Sequence, residues 1–420
     1  MINKMKHLKH IRYILRLFIA ISFLKLSAKT IEVCDSCKFY SLKKAVKYAN
    51  DYDTILIRKG IYKEFNIVLN KPVTILGENF PIVDGGLNGE IFTITSDMVT
   101  IEGLCIKNVG KSYKDDHAAI RIKKSKKFTI QNNIIEKVFF GIYVEKSAYG
   151  KIYNNRVSGE AKHEYSSGNG IQLWHSKYIT VERNTIQNVR DGIYLEFSNN
   201  CTVINNVSKD NIRYGLHFMF SNDDDYYDNL FTNNGSGVAV MFSKNIDMYN
   251  NTFQKNWGTA SYGLLLKEIN DSKIRNNIFE KNTVGINVEG SNRITFKNND
   301  FIKNGWAVRV RGACYSNTFV GNNFLYNSLD LSYNGTINDN YINENYWSNY
   351  RGYDLNKDGI GDVPYRPVNL FSYVVNKSPE TIILLRSLLT EIIDFSEKVT
   401  PIFTPNNLLD NNPLIKKVKL

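Results

Sequence analysis

The sequence predicts an all-β protein folded as a right-handed parallel β-helix, and a repeated unit in the middle of the chain is the main evidence. Gly-Leu-His-Phe-Met-Phe-Ser at 215–221 returns as Gly-Val-Ala-Val-Met-Phe-Ser at 237–243. Within each copy, small and apolar residues alternate with others, which is typical of a β-strand. A fixed repeat of this length without helical periodicity predicts short coils stacked along one axis.

The same unit can be followed in both directions. Its opening Gly or Ala falls at 119, 141, 170, 192, 215, 237, 263, 285 and 307. An asparagine turn accompanies it at 132–133, 154–155, 205–206, 250–251, 276–277, 298–299 and 322–323. Asparagine tolerates the left-handed backbone of a corner, and stacked amides can form hydrogen-bond ladders. A β-propeller is the competing repeat fold, but its blades need roughly 40 or more residues each.

The pattern divides the chain into five parts: a signal peptide at 1–28, an N-terminal cap at 29–52, the β-helix at 53–345, a loop region at 346–369 and a helical tail at 370–420. The cap is predicted as a helix within Phe39–Asn50, with Ser41 as its N-cap and apolar residues at helical spacing. Such a helix would cover the strand edges that an open solenoid exposes at its first coil.

The N-terminal residues have the pattern of an export signal, with a basic start, an apolar run at Leu17–Leu26 and a small residue at Ala28. An uncleaved membrane anchor is the alternative. The formal charge of +12 falls to +6 (12 − 6) without this segment, because six Lys and Arg residues precede residue 29 with no acid among them. The remaining charge is spread along the chain, which argues against nucleic-acid binding.

Two short motifs flank the solenoid. Cys34 and Cys37 predict a structural disulfide, with a metal pair or a redox pair as alternatives. Near the other end, acidic and amide residues alternate around a glycine as in a calcium loop; they are Asp354, Asn356, Asp358 and Asp362. An EF-hand would have Glu at the twelfth position, where this chain has Tyr365. A shorter calcium turn and a purely Asx-rich turn both remain open.

The tail is strongly apolar from Thr381 to Val399, and Ser378-Pro379-Glu380 is typical of a helix start. Glu391 is among the charges that interrupt the apolar run before it could span a bilayer. The helix could cap the solenoid or bind a membrane-side partner, because its apolar residues cover more than one face. The residues assigned to such a partner are Leu384, Leu385, Arg386, Leu388 and Leu389.

The repeat also predicts which side chains leave the solenoid. The second and fourth residues after each unit start should point outward, and neighbouring coils lie about 4.8 Å apart. His217, Met219 and Met241 should therefore form one cluster on an exposed sheet, with Met248 in the next strand as a further member. Thioethers and imidazole are soft ligands that suit Cu(I) better than calcium or magnesium.

Two other interpretations of this cluster remain open. Together with Phe220 and Phe242 it could be a docking surface for another protein, or it could be ordinary packing. An enzyme is a further alternative, because pectin-lyase-like β-helices often act on polysaccharides. That chemistry needs clustered carboxylates, and Glu145 and Glu196 are not extended into a cluster by neighbouring coils. The sequence therefore predicts no catalytic set.

Several motifs resemble the NosD family of periplasmic maturation factors for nitrous oxide reductase. The resemblance is strongest at 214–221 and 237–245, and it extends through Tyr-Trp-Ser-Asn-Tyr-Arg-Gly-Tyr-Asp at 346–354 and Gly-Ile-Gly-Asp-Val-Pro-Tyr-Arg-Pro at 359–367. Leu-Phe-Ser at 370–372 and Leu-Arg-Ser at 385–387 add to it.

The resemblance implies a non-enzymatic periplasmic component of an ABC-type complex, held at the inner membrane by a permease with a cytoplasmic ATPase. Such complexes support assembly of the copper–sulfide centre of the reductase. Copper is the implied cofactor, and a copper chaperone and the reductase are the implied partners. The tail matches the part expected to engage the permease. A secreted carbohydrate-active enzyme or polysaccharide-binding protein remains the alternative.

Overall fold

Three parallel β-sheets form the faces of a solenoid in the computed structural model, which describes residues 28–112, 115–334, 339–368, 370–385, 387–399 and 408–419. The sheets contain 14, 13 and 12 strands, and each coil contributes to them in turn. The predicted parallel β-helix is therefore confirmed. The proposed signal peptide up to residue 27 and the predicted contact residue Arg386 lie outside the described residues.

Sheet A contains Thr30–Val33, Thr54–Ile57, Thr74–Gly77, Thr100–Glu102, Thr129–Gln131, Lys151–Tyr153, Thr180–Glu182, Thr202–Ile204, Asp225–Tyr227, Asp247–Tyr249, Lys273–Arg275, Thr295–Lys297, Thr318–Val320 and Tyr341–Asn343. Sheet B contains Ile61–Lys63, Ile82–Asp84, Cys105–Lys107, Ile134–Val138, Arg156–Gly159, Thr185–Gln187, Val207–Lys209, Leu230–Thr232, Thr252–Gln254, Ile278–Glu280, Asp300–Ile302, Asn323–Leu325 and Tyr346–Trp347. Sheet C contains Ile67–Leu69, Phe92–Ile94, Ala118–Lys123, Phe140–Glu145, Ile171–Trp174, Asp191–Glu196, Tyr214–Met219, Ser236–Met241, Tyr262–Lys267, Val284–Glu289, Trp306–Arg311 and Leu329–Asn334. The helices are α1 (Leu42–Tyr48), α2 (Leu370–Lys377) and α3 (Leu388–Val399), with 3-10 turns at Glu164–Ser166 and Pro379–Leu384.

Alternation along the strands builds the core. Side chains such as Leu216 and Phe218 are fully buried inside the solenoid, because every second residue of a strand faces inward. In-register coils place like residues above one another, so aromatic rings stack along the axis. One such stack runs through Phe279, Phe301 and Phe324 with centroids 5.0–5.1 Å apart. The interior is thus one continuous core along the solenoid.

Buried asparagines form the predicted ladder at the corner between sheets A and B. Asn206 Nδ2 donates to Asn229 Oδ1 over 3.0 Å, and Asn229 Nδ2 donates to Asn251 Oδ1 over the same distance. The residue before each of these three has a positive φ near 55°, as expected for a left-handed corner. The prediction is displaced by one residue at 322–323, where Gly321 takes the positive φ and Asn322 joins the ladder.

The N-terminal boundary differs from the prediction. Thr30–Val33 pairs with Thr54–Ile57 as the first strand of sheet A, so the β-helix begins before residue 53. Helix α1 is shorter than predicted, and Ser41 caps it by accepting a hydrogen bond from the Lys44 backbone N–H. Glu64 of the solenoid also accepts from the first backbone N–H groups of the helix, which fixes the helix to the first coils.

The predicted helix from Ser378 to Val399 is wrong in its start. Pro379–Leu384 forms a 3-10 turn instead, and α3 begins at Leu388 because Ser387 Oγ accepts from the Thr390 backbone N–H at 3.3 Å. We call residues 370–399 the helical insert. Phe371 of α2 packs into a cluster with Trp306 and Leu329 on sheet C, so the insert starts on the solenoid.

The prediction of a single tail over 370–420 is also wrong, because residues 408–419 return to the solenoid. We call them the return segment. Leu408 joins the main core, and Leu414 bridges to Tyr346 of sheet B. Val418 exchanges backbone hydrogen bonds with the Asn323 side chain. The described chain therefore contacts the solenoid at the start of the helical insert and again in the return segment.

Asp330 is a buried carboxyl group at the C-terminal end of the solenoid. It accepts hydrogen bonds from Asn327 Nδ2 at 3.3 Å and Asn349 Nδ2 at 3.4 Å. Burial raises its pKa from 3.8 to about 7, although the two hydrogen bonds oppose the change. The folded protein therefore retains this proton when the unfolded chain has lost it. The free energy of unfolding should fall as pH rises from about 4 to about 7.

The variant Asp330→Asn tests this effect. It is expected to raise the free energy of unfolding at about pH 8 by on the order of 2–4 kcal/mol, and to change it little at about pH 4. Urea denaturation at the two pH values measures both quantities. An equal change at both pH values would show that packing, and not ionisation of Asp330, causes the difference.

Candidate functional site

The predicted cluster lies on the outer face of sheet C, where outward-facing residues of successive strands form two columns. Strand pairing aligns these residues in the register that the sequence repeat predicts. Met219 lies in register with Met241, and His217 lies in register with Ala239. On the other side of the strand, His217 aligns with Tyr194 and Met219 with Glu196. We call His217, Met219 and Met241 the Met–His ridge.

His217 is not exposed as predicted. Its ring stacks on Tyr194 with centroids 4.5 Å apart and lies 4.9 Å from the Tyr214 ring. These aromatic neighbours leave the residue only 4% exposed. Large side chains on adjacent coils cover one another on the outer sheet face, an effect that alternation alone does not predict. Truncating His217 would therefore remove packing as well as an imidazole.

The two ring nitrogens of His217 have different environments. Nδ1 lies 3.3 Å from Arg213 Nη2 and 3.6 Å from Asp191 Oδ2. Nε2 is buried and has no hydrogen-bond partner among the described residues. Burial alone would raise the pKa of Asp191, but hydrogen bonds from His217 and Arg213 hold that pKa below its usual value. The ionised carboxylate thus holds one edge of the ring and leaves the other unpaired.

The two methionines of the ridge are partly exposed. Tyr194 donates a hydrogen bond from its hydroxyl to Met219 Sδ at 3.6 Å, so the same tyrosine contacts both His217 and a thioether. Burial raises the pKa of Tyr194, and its hydroxyl therefore remains a donor. The ridge therefore places two partly exposed sulfur atoms next to a buried imidazole on one sheet face.

Met248 does not belong to this ridge, which corrects the prediction. It lies in sheet A, between Tyr226 and Ile274 in register, and its side chain is fully buried in the core. Among the described residues, no group of three or more His, Cys, Asp or Glu side chains is arranged to hold a metal ion. A metal site on sheet C would therefore depend on methionine sulfur.

Phe220 and Phe242 belong to a larger stack at the corner between sheets C and A. His175, Phe197, Phe220 and Phe242 follow one another on successive coils with ring centroids 4.8–5.1 Å apart. We call these four residues the aromatic ladder. Sequence analysis missed Phe197 and His175, although both occupy the fifth position after their unit starts, as Phe220 and Phe242 do.

In the motif at Asp354–Asp362, the acidic side chains accept hydrogen bonds from backbone N–H groups of the same loop. The Asp354 carboxylate accepts from the backbone N–H groups of Asp358 and Gly359 at 3.2 and 3.0 Å. Asp362 Oδ2 accepts from the Leu355 backbone N–H at 2.7 Å, and Asn356 Nδ2 donates to Asp358 Oδ2. These contacts favour the Asx-rich turn over a calcium site. At the other end, Cys34 and Cys37 are joined in a disulfide.

The helical insert presents apolar side chains to solvent. Leu384, Leu388 and Leu389 are exposed, as a partner-binding surface requires, and Ile383 and Phe395 are more exposed than Leu384 and Leu389. Leu385 differs from the prediction because it is half-buried against the cluster of Trp306 and Phe371. Within the described part of the chain, helices are too short or too polar to cross a bilayer.

Comparisons with solved structures concern the fold alone. The A-module of the mannuronan C-5 epimerase AlgE6 from Azotobacter vinelandii superposes with a TM-score of 0.55 at 14% identity, covering 73% of this chain and 93% of that one. A family 28 exopolygalacturonase from Yersinia enterocolitica gives 0.53 at 10% identity, covering 76% and 78%. The architecture is thus that of pectin-lyase-like β-helix proteins.

Comparisons of sequence are more specific. A family model described as "Periplasmic copper-binding protein (NosD)" matches residues 154–352, which include the Met–His ridge. The probable ABC transporter binding protein NosD of Pseudomonas aeruginosa is 27% identical, covering 84% of this chain and 86% of that protein. The protein of the same description from Stutzerimonas stutzeri is 28% identical over 103 residues, 24% of each chain. The chain is therefore similar to NosD proteins over most of its length, and its residues 154–352 match the NosD family model.

Proposed function

We propose that this chain is the periplasmic, non-enzymatic component of an ABC-type complex that supports maturation of the copper–sulfide centre of nitrous oxide reductase. In this proposal the Met–His ridge holds Cu(I) transiently, and the adjoining aromatic ladder receives the copper chaperone or the reductase. The helical insert binds the permease, which works with a cytoplasmic ATPase and keeps the protein at the inner membrane.

The observation that carries the copper role is the unpartnered Nε2 of His217 on the same face as two aligned methionines. A buried polar nitrogen without a hydrogen bond is costly, and a bound ligand would remove that cost. In the tautomer whose Nδ1 carries the proton and donates toward Asp191, the Nε2 lone pair would be left for a metal ion. Met219 and Met241 would then supply soft sulfur ligands.

The donor set fits Cu(I) as cargo. Thioethers bind Cu(I) well and bind harder ions poorly, so the ridge would discriminate against zinc, calcium and magnesium. The two methionines are partly exposed, whereas His217 is buried. This ligand set would suit a protein that must release its copper, because a partner protein could reach the exposed sulfur ligands.

Competition with a Cu(I) chelator tests this role. The intact protein is expected to withdraw Cu(I) from bicinchoninate and to leave Zn(II) unbound. The double variant Met219→Leu/Met241→Leu keeps the packing volume and removes both sulfur atoms. It should weaken Cu(I) binding by about tenfold or more, which corresponds to about 1.4 kcal/mol.

Met248→Leu is the matched control, because it removes a thioether from the core and should leave Cu(I) affinity unchanged. Leucine is preferable to alanine here, since exchanging the buried His217 and its neighbours for alanine would also change stability. If the intact protein takes no Cu(I) from the chelator, the copper role is wrong. Loss of chaperone binding in the same double variant would then identify the ridge as a docking surface.

The maturation role has its own test. Nitrous oxide reductase purified from cells that lack this chain should contain less copper and show a weaker copper–sulfide absorption than reductase from complemented cells. Full copper loading without the chain would contradict the proposal. Reduced loading restored by the Met219→Leu/Met241→Leu variant would retain the maturation role but remove the ridge from it.

A further inference from the structure

The corner between sheets C and A carries a concentration of lysines, two of which, Lys146 and Lys177, lie over the rings of Trp174 and Tyr178. Six lysines lie there on three successive coils, all of them exposed; they are Lys123, Lys124, Lys126, Lys127, Lys146 and Lys177. None of them forms an ion pair within the part of the chain that the structure describes. Nearby carboxylates are few: Asp97 accepts from the Lys126 backbone N–H at 2.8 Å, and Glu145 faces Arg121 at 4.0 Å.

Four of these lysines line a groove of about 240 Å³ that leads to the aromatic ladder. Lys124, Lys126, Lys146 and Lys177 form its basic walls, and the rings of His175 and Phe197 form its aromatic end. We call these six residues the lysine groove. Phe197 continues through Phe220 to Phe242 along the ladder, so the groove and the Met–His ridge lie on one connected surface.

The aromatic ladder is held in an unfavourable backbone conformation. Phe197, Phe220 and Phe242 have φ of 50°, 51° and 52°, a region that bulky residues rarely occupy. Other coils place Lys, Glu or Gly at this corner position, as at Lys146, Glu268 and Gly290. Every coil from Lys124 to Gly312 has a positive φ at this corner, so the backbone does not require phenylalanine there. Phenylalanine nevertheless occupies the corner on three successive coils, and two of the three rings are clearly exposed.

We propose that the lysine groove binds an acidic segment of a partner protein, with an apolar side chain of that segment against Phe197. The assignment rests on the proposed function of the neighbouring ridge, because it identifies the groove as the recognition element for a partner that exchanges copper there. The lysines would pair with the acidic residues of the segment, and the exposed Phe197 ring would be buried against its apolar side chain.

The geometry favours a protein segment over a sugar chain or a membrane. Ring planes in the aromatic ladder are nearly parallel, 6° apart between Phe197 and Phe220 and 16° apart between Phe220 and Phe242. The rings cover each other's faces and expose edges, whereas a sugar stacks on a ring face. The lysines Lys124, Lys146 and Lys177 line a concave surface, which a flat bilayer cannot enter.

Fluorescence anisotropy with a labelled acidic peptide tests the proposal. The probe is a ten-residue peptide of Glu with two central Leu residues, and the full chain without its signal segment is the receptor. Binding should weaken several-fold between about 50 mM and about 300 mM salt, because surface charges are screened. In Lys124→Glu/Lys146→Glu/Lys177→Glu, affinity should fall by about tenfold or more.

Reversal of Lys255, Lys297 and Lys303 is the matched control, since these lysines lie at other corners and strands, are exposed, and form no ion pair with any described residue. It should leave peptide affinity unchanged. Glutamate is tolerated at the positive-φ corner, where Glu268 already occurs. If circular dichroism shows that the charge-reversed protein is unfolded, Lys→Gln at the same three positions replaces it, with a smaller expected loss.

Equal loss in the groove and control variants would overturn the proposal, as would equal binding of a peptide with Lys in place of Glu. Binding to vesicles that contain anionic lipid, without binding of the peptide, would overturn it in favour of a membrane contact. The Lys variants should keep their Cu(I) affinity. Failure of the copper role and failure of the groove are therefore separate results.

Discussion

Replacing Asp410 by alanine is expected to lower the free energy of unfolding by about 3–5 kcal/mol. The Asp410 carboxylate is fully buried and accepts from the backbone N–H groups of Glu344 and Asn345 at 3.0 and 2.9 Å. It also accepts from Asn345 Nδ2 at 3.2 Å and Trp347 Nε1 at 2.9 Å. Each donor that is left buried and unpaired costs about 1–3 kcal/mol.

Asp410 takes the place that the next asparagine would occupy in the ladder. From Asn155 onward, the Asn Oδ1 of each coil accepts from the asparagine of the coil before it, as Asn345 Oδ1 does from Asn322. Asp410→Asn should therefore cost less than Asp410→Ala. Asp358→Ala is the control, because Asp358 accepts from the exposed backbone N–H of Ile360. Urea denaturation measures all three, and a loss below about 1 kcal/mol for Asp410→Ala would contradict this closing role.

Placing aspartate at three exposed positions of the helical insert is expected to abolish co-purification with the permease. Ile383, Leu388 and Phe395 are 85, 73 and 68% exposed, so the free chain should tolerate the change within about 0.5 kcal/mol. A buried apolar interface would not, because three charges would lose their hydration. Tandem-affinity purification from membranes, followed by quantification of the permease, measures the effect.

Leu355→Asp is the matched control, since Leu355 is an apolar residue of similar exposure (78%) in the loop region outside the insert. It should leave the permease yield unchanged. Deleting residues 370–420 as a whole would not test the contact, because it would also remove the return segment and Asp410. Full recovery of the permease with the triple variant would show that the exposed apolar side chains serve another purpose.

The repeat predicted the solenoid well because each coil is built from residues that are close together in the sequence. Spacing between unit starts fixed the register, and the pairing of Met219 with Met241 followed from counting alone. The chain ends were predicted less well. The closure of the asparagine ladder by Asp410 joins residues 65 positions apart, and no periodic signal marks such a contact.

The candidate site was predicted in position but not in environment. Alternation correctly turned His217 outward, yet burial depends on what the neighbouring coils place beside it, here Tyr194 and Tyr214. Met248 was wrongly predicted to face outward. The alternation of inward and outward residues starts afresh after each corner, so the outward direction of Met241 does not determine that of Met248 in the next strand. Asp191 and Arg213 lay outside the predicted columns, and only three-dimensional proximity connects them to the imidazole.

The chain contacts the solenoid on both sides of the helical insert. Phe371 holds the outgoing end on sheet C, and Leu414 and Val418 hold the returning end beside sheet B. Helix α2 therefore fixes where the insert leaves the solenoid, and a partner that binds the exposed side chains of the insert would do so beside sheet C, the sheet that carries Met219 and Met241.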